Sequence, residues 1–427
     1  MASSFSVSPT KLPLDASIQP PGSKSLTNRA LVCAALAEGP SQLNGALSSE
    51  DTLVMMDALR QLGISIDWST DNTCLHIGGL PEKPLAAALQ LDIANSGTTI
   101  RFLSALLSTI DGEYRLDGTR RMKERPMGDL IDAITQLGGH IRSLGDNNCP
   151  PLLVKGNGLP GGLATLRGDI SSQFLSGLLL AAPRASQSIT LQLETPLVSE
   201  PYVRMTTSVM AAFGVEVSNP TATTYHVASG QTYVGCHYVV EPDASAASYF
   251  WAAAAIAGGK VTVLGLTPTA LQGDVAFCNC LQAMGCQITA TADGLAVEGA
   301  PLRGIEVDMN VISDTVPTLA VVALFASSPT RITNVAHIRH KECDRIGDLA
   351  CELRKLGATI LEHDDGLTIE PAALHGAEVD TYDDHRMAMS LALAGLNLDG
   401  VVIKDPECTA KTYPGYFEDL DRVVHGR

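Results

Sequence analysis

Five times along the chain an amphipathic run ends on a bulky apolar residue and a glycine, and alternating residues follow. The copies are ALRQLGISID at Gly63, AITQLGGHIR at Gly138, VMAAFGVEVS at Gly214, CLQAMGCQIT at Gly285 and ELRKLGATIL at Gly357. Apolar positions recur at helical spacing before each glycine and at strand spacing after it. Each copy predicts a helix closed by a C-terminal glycine and followed by a strand. Glycine suits that stop because it takes positive φ without a steric penalty. Consecutive glycines lie 71 to 76 residues apart, which reads as internal duplication of a unit of about 70 residues. The segment Tyr416–Val424 (YFEDLDRVV) reads as a sixth such helix without its strand, the next glycine falling due just past Arg427. The N-terminal FSVSP offers the missing strand, which would place both termini in one domain and make the other domain an insertion.

Two stiff segments mark where the chain would cross between domains. One is Gln19-Pro20-Pro21-Gly22; the other is Glu241-Pro242-Asp243, just before the alanine-rich helix Ala244–Ala257. The predicted domains are residues 22–240, with three repeats, and residues 1–21 plus 241–427, with the other three. Clefts between domains favour ligands, so residues near the crossings are the first candidates for a site.

Composition narrows the classes. With 427 residues, 45% of them hydrophobic, the chain can fill more than one core. Leu319–Ala326, among the longest apolar runs, is far too short for a membrane span, and MASSFSVSPTKLPLD lacks the apolar middle of a secretory signal. Against 29 Lys and Arg stand 46 Asp and Glu, a formal charge of −17. That balance disfavours nucleic acid and anionic membranes as partners. Ten cysteines form no CxxC pair, and Cys278 and Cys280 are too tight for a zinc ribbon; they read as reduced core thiols, and no metal site is expected.

The cations are unevenly placed. Gly22-Ser23-Lys24-Ser25 and Arg29 precede the apolar helix predicted over Ala30–Ala37, an arrangement suited to anions. It is not a P-loop, which needs Gly-Lys adjacent. Asn95–Arg101 leads into an apolar helix over Phe102–Leu107, and Arg120–Arg125 holds four cations in six residues. Ser171-Ser172-Gln173 follows Gly168-Asp169-Ile170, and Ser199-Glu200-Pro201-Tyr202 reads as a turn. In the C-terminal half, Asp314 precedes a long apolar helix. Lys341 and Arg345 stand four apart around Glu342, on one face if the segment is helical. Asp384-His385-Arg386 opens another apolar helix, and Lys411 sits in CTAKTYP. Singly, each segment is equally well an N-cap or a solvated charge run. Together, Lys and Arg gathered at helix starts predict binding of multiply charged anions in an interdomain cleft.

In order and spacing, PGSKSLTNR (21–29), NSGTTIR (95–101), RMKERPMG (121–128), SSQF (171–174), SEPY (199–202), EPDASAASYF (241–250), KECDR (341–345), DHRMAM (384–389) and CTAKTYP (408–414) closely resemble the 5-enolpyruvylshikimate-3-phosphate synthase family. The resemblance covers essentially the whole chain. It implies a mixed α/β, two-domain enolpyruvyl-transferase fold, an inside-out α/β barrel with three βαβαββ repeats per domain. It also implies transfer of an enolpyruvyl group from phosphoenolpyruvate to the 5-hydroxyl of shikimate 3-phosphate, on the route to chorismate and the aromatic amino acids, through a tetrahedral intermediate and without cofactor or metal. By the family pattern, Lys24, Ser25, Arg29, Ser171, Ser172, Gln173, Ser199, Tyr202, Asp314 and Lys341 would hold shikimate 3-phosphate. Lys24, Gly97, Arg125, Gln173, Arg345, Arg386 and Lys411 would hold phosphoenolpyruvate. Asp314 would accept the hydroxyl proton, and Glu342, with Lys24, would protonate the methylene carbon. The resemblance further implies a cytoplasmic monomer acting on small molecules.

The chain departs from the family at three points. His337 stands where Asn is common, Phe102 where Pro is common, and NSGTTIR replaces the commoner NAGTAMR. The last two imply a weakened response to the inhibitor glyphosate. Two other functions compete. A UDP-N-acetylglucosamine enolpyruvyl transferase generally carries a loop cysteine in the first domain, but no cysteine lies between Cys74 and Cys149. A non-catalytic scaffold would have no need to keep Lys24, Asp314, Glu342 and Arg386.

Overall fold

The computed structural model describes residues 3–10, 12–81 and 86–426. It divides into two units, Gly22–Val240 and Met1–Pro21 with Glu241–Arg427. Both are mixed α/β.

One strand order recurs. In the first unit Ala88–Asp92 runs parallel to Gly112–Asp117, which pairs antiparallel with Leu152–Gly156, and His140–Ser143 closes the far edge. The parallel pair needs a crossover, and the helix Gly97–Leu107 supplies it. The same order holds for Gly162–Leu166 with its three partners and, in the second unit, for Glu306–Asp308 with its three. Distant segments complete the other sheets. His237–Val239 lies parallel to Ser41–Asn44, and Leu14–Ile18 lies parallel to Gly259–Leu264. Ser4–Ser6 pairs antiparallel with Val402–Lys404.

The repeated glycines behave as their pattern predicts. Gly63, Gly138, Gly214, Gly285 and Gly357 all have positive φ, from 86° to 122°. A sixth, Gly426, ends the helix Tyr416–His425 with φ 67°, so the sixth glycine falls inside the chain rather than beyond it.

Six helices form the cores, here labelled α1 (Lys24–Ala35), α2 (Gly97–Leu107), α3 (Ser172–Ala181), α4 (Ala244–Ala257), α5 (Val316–Ala323) and α6 (His385–Ala392). They are buried all round, as helices at the centre of a core must be. All residues of α2, α5 and α6 are buried. In α1 and α3 the residues that escape burial are Lys24, Ser25 and Gln173, all in the first turn. The first turns of α1 and α3 are therefore where polar groups reach the surface. Among the described residues no helix is long and apolar enough to cross a membrane.

Candidate active site

In the Gly22–Val240 unit the three central helices share one device. Ser23, Ser96 and Ser171 cap α1, α2 and α3, each hydroxyl accepting a backbone N–H of the first turn at 3.2 to 3.4 Å. A neutral serine cap leaves the positive end of the helix dipole uncompensated, so anions are favoured there. Lys24 and Ser25 lie in the first turn of α1, Gly97 opens α2, and Ser172 opens α3.

Cations line these ends. Arg125 is buried and donates to the Asn95 carbonyl at 3.3 Å. Arg101 donates to the Gly97 carbonyl and to Gln173 Oε1, the latter at 2.6 Å, and lies over the Phe174 ring. Gln173 in turn donates to Thr98 Oγ1 at 3.2 Å. Both guanidiniums crowd Gly97, where a Cβ would sit 2.4 Å from Arg125 Nη2 and 2.7 Å from Arg101 Nη1. Glycine leaves room there for the two cations that approach its Cα.

Arg29 lies deeper, 1% exposed. It donates to Thr206 Oγ1, the Ser25 carbonyl, Ser176 Oγ and the Tyr202 carbonyl. Its guanidinium stacks against Phe102 and Tyr202. Burial lowers its pKa to about 10, so it remains charged at neutral pH. Ser199 holds a left-handed conformation, φ 53°, at the start of the helix Glu200–Ala212, so SEPY is a helix start rather than a free turn. Of the basic run, Arg125 is buried; Arg120, Arg121 and Lys123 form ion pairs with Glu124 and Asp117.

In the second unit acids and cations interlock. Asp314, on the short helical turn Asn310–Thr315 before α5, meets Lys341 at 3.4 Å, Arg345 at 3.2 Å and Arg386 at 2.8 Å. Glu342 meets Arg345 at 2.9 Å and Lys411 at 3.3 Å. Asp384 is fully buried; it accepts from Arg345 Nε at 2.7 Å and Nη2 at 3.0 Å, and caps α6 by accepting the Arg386 N–H at 2.9 Å. Burial works against the Arg345 charge, but Asp384, Glu342 and Asp314 outweigh it and raise its pKa. Tyr249 of α4 lies within 3.5 Å of Arg386 Nη1, its pKa pushed up to about 12 by burial. His337 Nε2 lies 3.0 Å from Ser313 Oγ.

The sequence-predicted residues thus fall into two groups. Lys24, Ser25, Arg29, Gly97, Arg125, Ser171, Ser172, Gln173, Ser199 and Tyr202 belong to the first unit, and Asp314, Lys341, Glu342, Arg345, Arg386 and Lys411 to the second. Three local expectations need correction. Helix α1 starts at Lys24, not Ala30, and α2 starts at Gly97, not Phe102. Lys341–Arg345 is not helical: Asp344 accepts the N–H groups of Ile346 and Gly347, so the helix begins only at Gly347. Lys341 and Arg345 meet because both reach Asp314. Arg101, Asp384 and Tyr249 join the site though sequence reasoning had not singled them out. All three sit inside quoted motifs, but a motif does not say which of its members turns inward.

The model of one protein family, described as EPSP synthase (3-phosphoshikimate 1-carboxyvinyltransferase), matches residues 9–420. A protein named 3-phosphoshikimate 1-carboxyvinyltransferase from Nostoc punctiforme is 48% identical over 406 residues, covering 95% of each chain. One of the same name from Yersinia pseudotuberculosis is 45% identical over 426 residues, covering 99% of each. A solved EPSP synthase from Acinetobacter baumannii superposes with a TM-score of 0.80 at 29% identity, over 98% of both chains. The helix-start cations, the interlocked acids and these likenesses have one conclusion: the chain is an enzyme of the EPSP synthase family, the 3-phosphoshikimate 1-carboxyvinyltransferases.

Proposed function

We propose that this chain transfers the enolpyruvyl group of phosphoenolpyruvate to the 5-hydroxyl of shikimate 3-phosphate and releases phosphate, with residues of both units serving one reaction. One observation carries the mechanism: Lys341, Arg345, Arg386 and Lys411 are held by the carboxylates of Asp314, Glu342 and Asp384. Four cations face three acids, so each acid is masked by cations that a polyanionic substrate would compete for.

Phosphoenolpyruvate would draw Arg345, Arg386 and Lys411 onto its carboxylate and phosphate, together with Lys24, Gly97, Arg125 and Gln173. Shikimate 3-phosphate would take Lys24, Ser25, Ser171, Ser172, Gln173, Ser199, Tyr202 and Lys341, with Arg29 supplying charge from below. Asp314 then loses cations and gains anionic neighbours, so its proton affinity rises and it becomes a competent base for the 5-hydroxyl. Glu342 loses Arg345 and Lys411 in the same way and takes up the proton it delivers.

The 5-oxygen bonds to C2 as its proton passes to Asp314. C3 gains a proton from Glu342, with Lys24 assisting, to give a tetrahedral intermediate. In the elimination a C3 proton returns to Glu342, the double bond re-forms, and the C2–O bond to phosphate breaks, the phosphate leaving with the proton held by Asp314. Binding energy from two polyanions thereby activates the groups that react. We further propose that the enzyme acts as a cytoplasmic monomer.

The test is release of phosphate from phosphoenolpyruvate and shikimate 3-phosphate. Folded protein that releases none overturns this function. Asp314→Ala should lose most turnover while still binding shikimate 3-phosphate; full turnover would remove Asp314 as base.

A further inference from the structure

We infer that Tyr382 and Glu352 are positioning residues for Arg345 and Arg386, because they hold the turn that delivers Asp384; the inference rests on the phosphoenolpyruvate role proposed above for those two arginines. The chain reaches Asp384 through a strained turn. Tyr382 and Asp383 have φ 55° and 54°, and the Asp384 N–H closes the turn on the Thr381 carbonyl at 2.9 Å. Two left-handed residues inside such a bond make a type I′ turn, whose usual occupants are Asn, Asp and Gly. Among the described residues no other two consecutive non-glycine residues both have positive φ. A bulky tyrosine in that region crowds its Cβ against the backbone, so the turn needs support from outside itself.

Glu352 supplies that support. It is fully buried on the helix Gly347–Lys355. Its Oε1 accepts from Tyr382 Oη at 2.6 Å, and its Oε2 accepts the Asp380 N–H at 2.9 Å and lies 2.8 Å from Lys355 Nζ. One carboxylate therefore clamps the chain both on the turn and just before it. Tyr382 is 38% exposed, so its ring adds little core packing and its hydroxyl is the part that holds. Beyond the turn, Asp384 grips Arg345 with both carboxylate oxygens and caps α6 through the Arg386 N–H. From that first turn of α6, Arg386 reaches Asp314 at 2.8 Å. The path to the two arginines is continuous: buried carboxylate, phenol, turn, capping aspartate, guanidinium. A turn that relaxes toward negative φ moves Asp384, and the cap and the fork lose their alignment together.

The test compares Tyr382→Phe, Glu352→Gln, Asp383→Gly and the double variant Tyr382→Phe/Asp383→Gly with the unmodified enzyme. Turnover, KM for each substrate and Tm are measured. Tyr382→Phe should raise KM for phosphoenolpyruvate roughly five- to twentyfold, with kcat and KM for shikimate 3-phosphate within about threefold, the pattern of lost binding to one substrate. Glu352→Gln should raise the same KM, because an amide has one accepting oxygen where the carboxylate has two. Glycine takes positive φ without penalty, so Asp383→Gly lets the turn form with less support and should by itself leave KM for phosphoenolpyruvate within about twofold. In the double variant the same glycine should bring that KM back to within about threefold of the unmodified enzyme. An unchanged KM for phosphoenolpyruvate in Tyr382→Phe overturns the proposal. So does an equal rise in both KM values, or a double variant that regains Tm but not KM. If Glu352→Gln does not fold, the Tyr382 and Asp383 comparison decides alone. Arg386→Ala is the control: if its KM for phosphoenolpyruvate is unchanged, the substrate role of Arg386 falls and the positioning role falls with it. If Arg386→Ala raises that KM and Tyr382→Phe does not, only the positioning role is wrong.

Discussion

Asp384 holds the guanidinium of Arg345 and caps the helix that carries Arg386, and its removal has a calculable consequence. The carboxylate is fully buried and accepts from Arg345 Nε and Nη2, from the Arg386 N–H, and from the Cys343 thiol at 3.4 Å. Breaking a buried ion pair by deleting one partner costs about 3–5 kcal/mol when the surviving charge is stranded. Arg345 is not stranded, because Glu342 and Asp314 remain at 2.9 and 3.2 Å, so the lower end of that range, about 3 kcal/mol, applies. Loss of the α6 cap adds about 1 kcal/mol. Asp384→Ala should therefore destabilise by about 4 kcal/mol, and Asp384→Asn, which keeps a cap and one acceptor, by about 2 kcal/mol. The assay is urea unfolding at neutral pH followed by circular dichroism, with KM for phosphoenolpyruvate measured on the folded variants. KM should rise in both, since Arg345 loses the group that orients its fork. A cost below about 1 kcal/mol for Asp384→Ala, or equal costs for Ala and Asn, would refute the reasoning.

Other outcomes follow from the same geometry. Gly97→Ala drives a methyl into Arg125 and Arg101; KM for phosphoenolpyruvate should rise while KM for shikimate 3-phosphate changes little, and steady-state kinetics checks it. Asp274 is buried and bonded to Ser245, and burial followed by the charge of Asp314 raises its pKa from 3.8 to about 6. The folded state then binds its proton more tightly than the unfolded state. This group's contribution to stability is greatest below pH 3.8, falls as pH rises to about 6 and stays low above it. Asp274→Asn lacks that fall, so its urea midpoint should gain on the unmodified enzyme between those pH values; a constant difference would count against it. With Phe102 and NSGTTIR in place, glyphosate should inhibit phosphate release weakly, and inhibition at ordinary micromolar concentrations would contradict that.

How much was legible from sequence depended on how local each signal was. The glycine stops were readable because helix termination needs only one residue with positive φ after an apolar run. Helix starts were not. Lys24-Ser25 and Gly97-Thr98-Thr99 show no apolar period, because polar side chains occupy these first turns, so pattern reading began each helix too late. Lys341 and Arg345 showed the opposite failure: their four-residue spacing suggested a helix, but Asp344 delays the helix to Gly347.

The residue types of the site, and the family motifs they form, were already determined by the sequence. The acid that each cation faces was decided by the tertiary structure alone. Arg345 meets Asp384 across 39 residues and Arg386 meets Asp314 across 72, separations at which no helical or strand period carries information. Such pairs form only when whole repeats pack and bring the starts of α5 and α6 together with the loop before Gly347. The formal charge of −17 is a sum over the chain, whereas the pairing of these cations with these acids is set by which groups the fold places within bonding distance.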